Sequence, residues 1–192
     1  MLTVVNLPNF LTILRLLAIP FFLILLEDNA YGWALTVFVA AGITDGLDGA
    51  IARLTNSKTE LGAIMDPAAD KLLLLAAFIA LGFMHQVPRW LTVIVISRDV
   101  LLVLGYFILF IMTQETIEIR PTLAGKLSTF FLLSGVTAVL VNLTWPATVP
   151  PVLRDLVHFI AATLTTAAGL QYLYRGLAWL QHHEANPPSA SA

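Results

Sequence analysis

The chain has 192 residues, 58% of them hydrophobic and 11% charged, with ten Lys and Arg against twelve Asp and Glu for a formal net charge of −2. This near-neutral balance offers no basic footprint for nucleic acid, and the lack of cysteine excludes disulfides, zinc–thiolate sites and thiol nucleophiles. A mean hydropathy of +0.86 places the chain in a bilayer rather than in water.

Six apolar stretches approach or reach the ~20 residues that a bilayer-spanning helix needs. They are expected at about 9–27, 31–54, 61–84, 89–113, 123–144 and 152–178. Between them stand turn-forming breaks at Glu27-Asp28-Asn29, Thr55-Asn56-Ser57-Lys58, Val87-Pro88, Gln114 to Pro121, and Trp145-Pro146 through Pro150-Pro151. Met1 to Pro8 carry neither a basic n-region nor a small-residue cleavage site, so the first stretch is expected to be retained. The expected fold is an all-α integral membrane protein of six transmembrane helices, forming one membrane domain over 1–180 with a disordered tail over 181–192. If the helices alternate, Arg15, Arg53, Lys58, Arg120, Lys126 and Arg175 fall on one side, and Arg89 and Arg154 with Glu27 and Asp28 on the other. Excess Lys and Arg mark the cytoplasmic face, so both termini are expected there.

In the first helix, Asn9, Thr12 and Arg15 recur at helical spacing on one side. They read either as polar ligand contacts or as a plain helix start, with Asn9 near the cap and Arg15 reaching out to headgroups. The second and third helices carry the chemistry. Asp45-Gly46-Leu47-Asp48-Gly49-Ala50-Ile51-Ala52-Arg53 is followed by Gly62, Asp66 and Asp70. Four carboxylates with one arginine in an apolar chain demand a positive partner, because unpaired ions there cost several kcal/mol or neutralise. Asp45, Asp48, Gly49 and Ala52 share one helical stripe, as do Gly62, Asp66 and Asp70 on the next helix. Two such pairs across small residues suit a hard divalent cation that prefers oxygen ligands. Taken singly, Gly49, Ala52 and Gly62 also read as close-packing positions between membrane helices, and Arg53 as a topology anchor.

The full pattern, D-x2-D-G-x2-A-R-x8-G-x3-D-x3-D, resembles the signature of the CDP-alcohol phosphatidyltransferases. That resemblance implies CDP-diacylglycerol as donor, a small alcohol as acceptor, and two metal ions, Mg²⁺ or Mn²⁺, bridging the donor pyrophosphate. By motif position Asp45, Asp48 and Asp66 are the main metal ligands, while Asp70 completes the metal site and is the catalytic base for the acceptor hydroxyl. Gly49, Ala52 and Gly62 would let the nucleotide approach the helix backbone, and Arg53 would pair with pyrophosphate through its planar fork. The family's first helix helps bind the nucleotide, which adds Asn9 and Thr12 to the donor site. The resemblance also implies a homodimer, and the topology above turns the active site towards the cytoplasm, as in a bacterial inner membrane.

Further along, Arg98 and Asp99 lie well inside the fourth span. A structural ion pair is one reading, but neighbours on a helix do not face each other, so each is expected to seek other partners. Arg98 with Lys126, in Gly125-Lys126-Leu127, is the candidate pocket for an acceptor phosphate. Lys71 follows Asp70 but points ~100° away, which suits pairing better than catalysis. His85, His158, His182 and His183 form no metal constellation.

Beyond the motif, Asn6-Leu7-Pro8-Asn9 and Gly125-Lys126 look most like the phosphatidylglycerophosphate synthases, implying glycerol 3-phosphate as acceptor. Ser97-Arg98-Asp99 also resembles the cardiolipin synthases, which take phosphatidylglycerol. A different class, an ion or proton transporter, would need ionisable groups continuing to the far face, whereas here they gather in one half.

Overall fold

The computed structural model describes residues 7–55, 60–113 and 122–185, with side chains described over 13–44, 71–109 and 122–181 and at Ile111. Its elements are all α-helical: α1 (Leu7–Glu27), α2 (Tyr31–Thr55), α3 (Glu60–Phe83), α4 (Arg89–Thr113), α5 (Leu123–Thr144) and α6 (Pro151–Ala185). Five of these match the expected stretches to within about two residues. The sixth runs on to Ala185, past the expected end at 178.

Three segments are long and apolar enough to cross a membrane among the described residues, namely Arg89–Leu109, Leu123–Thr144 and Pro151–Gln181. Tyr31–Thr44 and Lys71–Phe83 are shorter apolar segments. Large apolar side chains stand outward in runs, among them Leu17, Phe21 and Ile24 on α1 and Leu104, Phe107 and Ile111 on α4. Water would penalise such continuous patches, whereas lipid accepts them. The architecture is that of a multi-spanning membrane protein.

The chain divides into two compact units, Met1–Arg89 with Leu133–Arg154, and Trp90–Leu132 with Asp155–Ala192. In the first, α1 packs against both α2 and α3. Phe22 and Leu26 on α1, Ala34, Phe38 and Ala41 on α2, and Leu73, Ala77, Phe78 and Leu81 on α3 are buried. Their spacings of three, four and seven mark one face of each helix. Phe22 and Phe38 meet with ring centroids 5.7 Å apart, and the alanines let the helices draw close.

Two helix ends in this unit close in the same way. After α1, Ala30 N donates to Leu25 O at 2.8 Å and Asn29 N to Leu26 O at 3.1 Å, with Asn29 at φ 57°. After α3, Gln86 N donates to Leu81 O at 2.9 Å and His85 N to Gly82 O at 3.2 Å, with His85 also at φ 57°. Both are Schellman caps, which satisfy the last carbonyls of a helix through one left-handed residue. His85 therefore serves the backbone, in a conformation where its Cβ is crowded. His85→Val is expected to lower the melting temperature, since β-branching is poorly tolerated there, while His85→Gly keeps or raises it by up to the equivalent of ~1 kcal/mol.

In the second unit the start of α5 is tied to α6. Thr122 Oγ1 accepts from Gly125 N at 3.0 Å, capping α5, and Thr122 N donates to the Tyr172 hydroxyl at 3.3 Å. One turn on, Ser128 Oγ and Thr165 Oγ1 lie 2.7 Å apart, and both residues are fully buried. Hydrogen bonds between membrane helices contribute ~0.6 kcal/mol on average and at most ~1.7. Ser128→Ala and Thr165→Val should each cost about 1 kcal/mol in a reversible unfolding assay, and the double variant less than their sum. Strict additivity would mean that the two hydroxyls do not act as a pair.

Candidate active site

The motif residues occupy two helices on either side of a short connection. Asp45, Asp48, Gly49, Ala52 and Arg53 lie on α2, and Gly62, Asp66 and Asp70 on α3. Helical backbone puts positions 45 and 48, and positions 66 and 70, within one face of their respective helices. α2 ends at Thr55 and α3 begins at Glu60, so the intervening chain can separate those ends by at most ~18 Å. Asp48 lies ~10 Å back along α2 from that connection and Asp66 ~9 Å along α3, at 1.5 Å per residue. Counted along the helix axes, the two carboxylate pairs thus lie at similar distances from the connection, on two helices that both pack against α1.

The side chains of positions 45–70 lie outside the described residues, as do those of Asn9 and Thr12 on α1. No group of three or more His, Cys, Asp or Glu occurs among the described residues. By chemistry the four-aspartate donor set fits a hard divalent cation, being all oxygen and anionic.

Arg15 is the arginine whose sequence context left two readings open, and its place is settled by burial. It is 3% exposed on α1, so it does not reach out to headgroups. A guanidinium buried in an apolar protein belongs with an anion. The helical spacing of Asn9, Thr12 and Arg15 is its signal in the sequence. Lys71, by contrast, is exposed at the edge of the motif.

The expectation that Arg98 and Asp99 look away from each other is corrected. Arg98 Nη1 donates to Asp99 Oδ1 at 2.6 Å, with side-chain exposures of 14% and 20%. Adjacent Cβ atoms diverge on a helix, but an arginine is long enough to curl back across that angle. In apolar surroundings, pairing with the nearest carboxylate outweighs the strain of curling. Arg98 Nε is buried and makes no hydrogen bond. Lys126 stands exposed in the first turn of α5, where its backbone N–H donates to Thr122 O at 3.1 Å. The cap and the Tyr172 contact hold that turn in place. His158 is 1% exposed within α6.

Two carboxylate pairs on apolar helices give this membrane protein an all-oxygen anionic donor set. Comparison with known proteins narrows this further. The CDP-alcohol phosphatidyltransferase family matches residues 5–169, and the chain belongs to that family. A Mycobacterium tuberculosis protein named a probable phosphatidylglycerophosphate synthase is 34% identical over 182 residues, covering 91% of this chain and 83% of that one. A Mycobacterium bovis protein provisionally named a cardiolipin synthase is 34% identical over 140 residues, covering 72% and 66%. The CMP-forming cardiolipin synthase of Streptomyces coelicolor is 37% identical over 105 residues, covering 52% and 49%.

Proposed function

We propose that this chain transfers a phosphatidyl group from CDP-diacylglycerol to glycerol 3-phosphate, giving phosphatidylglycerophosphate and CMP. The observation that carries the reading is the complete motif, eight positions at fixed spacing on two helices joined by a short link. The likeness to a phosphatidylglycerophosphate synthase over 91% of the chain supports the choice of acceptor.

The acceptor hydroxyl oxygen attacks the phosphorus that bears the diacylglycerol, the bond from that phosphorus to the bridging oxygen breaks, and CMP leaves with the bridging oxygen. Asp70 takes the hydroxyl proton. Asp70 contributes by positioning the hydroxyl as well as by taking its proton. Asp45, Asp48, Asp66 and Asp70 would hold two divalent ions, Mg²⁺ or Mn²⁺, which when bound neutralise pyrophosphate oxygens. Gly49, Ala52 and Gly62 leave room for the nucleotide, Arg53 pairs with its phosphates, and Asn9 and Thr12 add polar contacts. Arg98 and Lys126 recognise the acceptor phosphate. Six spans with cytoplasmic termini, as in a bacterial inner membrane, would bring this chemistry to the face where soluble glycerol 3-phosphate is available. The working form would be a homodimer.

A second reading, phosphatidylglycerol as acceptor to give cardiolipin, is favoured by Ser97-Arg98-Asp99 and by the cardiolipin synthase relatives. Purified chain in mixed micelles, given CDP-diacylglycerol, a divalent cation and one acceptor at a time, separates the two. CMP release dependent on glycerol 3-phosphate and lost on chelation is the expected result. Release only with phosphatidylglycerol would establish the second reading, and no release with any alcohol would defeat both.

A further inference from the structure

Arg15 belongs to the buried stripe of α1 that continues through Phe22 and Leu26. That stripe packs on α2, which folds back along α1 after the short link Asp28-Asn29-Ala30. The Phe22–Phe38 contact fixes the register of this antiparallel pair. From it, seven residues back along α1 lead to Arg15, and seven forward along α2 lead to position 45. Seven residues are two helical turns, ~10.5 Å along the axis, and return to within ~20° of the same face. Counted along the helix axes, Arg15 and position 45 therefore lie equally far from one aromatic contact, on the two faces that meet there.

Arg15 is 3% exposed and is not left free. Its guanidinium is always charged, so inside apolar protein it takes an anionic partner. The acids of this unit are Glu27, Asp28, Glu60 and the four aspartates of the motif. Glu27 and Asp28 are exposed at the other end of α1, ~18 Å from position 15. Glu60 opens α3 beyond the end of α2 at Thr55, which lies ~15 Å past position 45. Within the motif, the register brings position 45 to Arg15.

We propose that Arg15 is a positioning residue of the aspartate site. Its guanidinium pairs with Asp45, holding that carboxylate in place and offsetting its charge before a divalent ion binds. The inference rests on the reading of Asp45 as a metal ligand. A carboxylate has two oxygens, so one can accept from Arg15 while the other serves the ion. Partners of this kind orient a metal's ligands, and their loss typically weakens metal affinity 10–100-fold.

The test follows thermal unfolding of the purified full chain in detergent micelles, with chelator and no donor. Arg15→Met is expected to lower the midpoint by ~5–10 °C, because it strands a buried carboxylate. In an Asp45→Asn background the same replacement should cost less than half as much, since that charge is gone. In an Asp66→Asn background, which removes an equal charge away from the register position, it should cost nearly the full amount. Mn²⁺ is then added without donor and the stabilisation is titrated. Its midpoint should rise at least ten-fold in Arg15→Met and recover in part in Arg15→Lys. An Arg15→Met cost that Asp45→Asn leaves unchanged, or that Asp66→Asn relieves as well, would overturn the pair. An unchanged Mn²⁺ midpoint in Arg15→Met would overturn the positioning role. If Mn²⁺ fails to stabilise even the wild type, the metal reading of the aspartates falls, while the cycle in chelator still decides whether Arg15 and Asp45 are partners.

Discussion

Replacing Asp45, Asp48 or Asp66 with Ala is expected to reduce transfer by at least ~10³-fold while the protein still inserts and purifies normally. The size of the loss follows from the role proposed. Phosphoryl-type transfer asks little covalent chemistry of the protein and depends on charge neutralisation at the phosphate oxygens. Each aspartate removed takes away a ligand of that neutralising charge. Insertion should survive because alanine adds no buried charge, and an ionised aspartate in an apolar helix is itself unfavourable. Asp70→Asn should retain more activity than the other three if its part is mainly to position the hydroxyl, and less if the proton transfer dominates. Rates of CMP release across a titration of Mg²⁺ and Mn²⁺ provide the check. Wild-type turnover by the Asp45→Asn, Asp48→Asn, Asp66→Asn triple variant in chelated buffer would remove the mechanism.

The second large effect is expected at the acceptor. Neutralising Arg98 or Lys126 should raise the KM for glycerol 3-phosphate ten- to hundred-fold and leave that for CDP-diacylglycerol nearly unchanged. A charge-assisted hydrogen bond to phosphate contributes ~1.5–3 kcal/mol, which converts to about that span of affinity. The Arg98–Asp99 ion pair refines the expectation. Asp99 already takes one guanidinium N–H, so Asp99→Asn should free charge for the acceptor and lower its KM. Sulfate should compete with glycerol 3-phosphate in wild type and less well in Lys126→Gln. A KM for the acceptor that stays put in both Arg98→Gln and Lys126→Gln would remove these residues from its recognition.

Much of the helical layout was legible because the breaks carry their own chemistry. Asn29 marks the left-handed cap of α1, and Val87-Pro88 marks the end of the α3 turn. The end of α6 was not legible from hydropathy. Past position 178 the chain turns polar, yet Leu180, Gln181, Glu184 and Ala185 are good helix formers, and the helix continues for want of a breaker. A window tuned to bilayer thickness ends where the apolar run ends, whereas hydrogen bonding need not. His85 in the left-handed region carried no signal, since asparagine or glycine is the usual choice there.

The candidate site was legible where spacing alone matters. The four aspartates and their glycines follow helical periodicity, and the helices that this reading needs, α2 and α3, are present, while their side chains lie outside the described residues. The pairing of Arg98 with Asp99 was not legible, because periodicity tracks where a side chain starts and says nothing of how far it bends. Burial of Arg15 was likewise beyond a sequence pattern, since position 15 fits both a polar stripe and a helix end.

The ties between α5 and α6 bear on the order in which the protein is made. Ser128 waits for Thr165, 37 residues further along, and Thr122 waits for Tyr172, 50 residues further along. At the ribosome α5 is therefore complete well before the groups that fasten its first turn exist. Until α6 enters the membrane, Ser128 must turn its hydroxyl to its own helix, and the turn bearing Lys126 is capped by Thr122 alone. A nascent chain stopped short of Tyr172 would carry the whole aspartate motif and still lack the tie from Tyr172 to the turn bearing Lys126, so the turn proposed to meet the acceptor matures late.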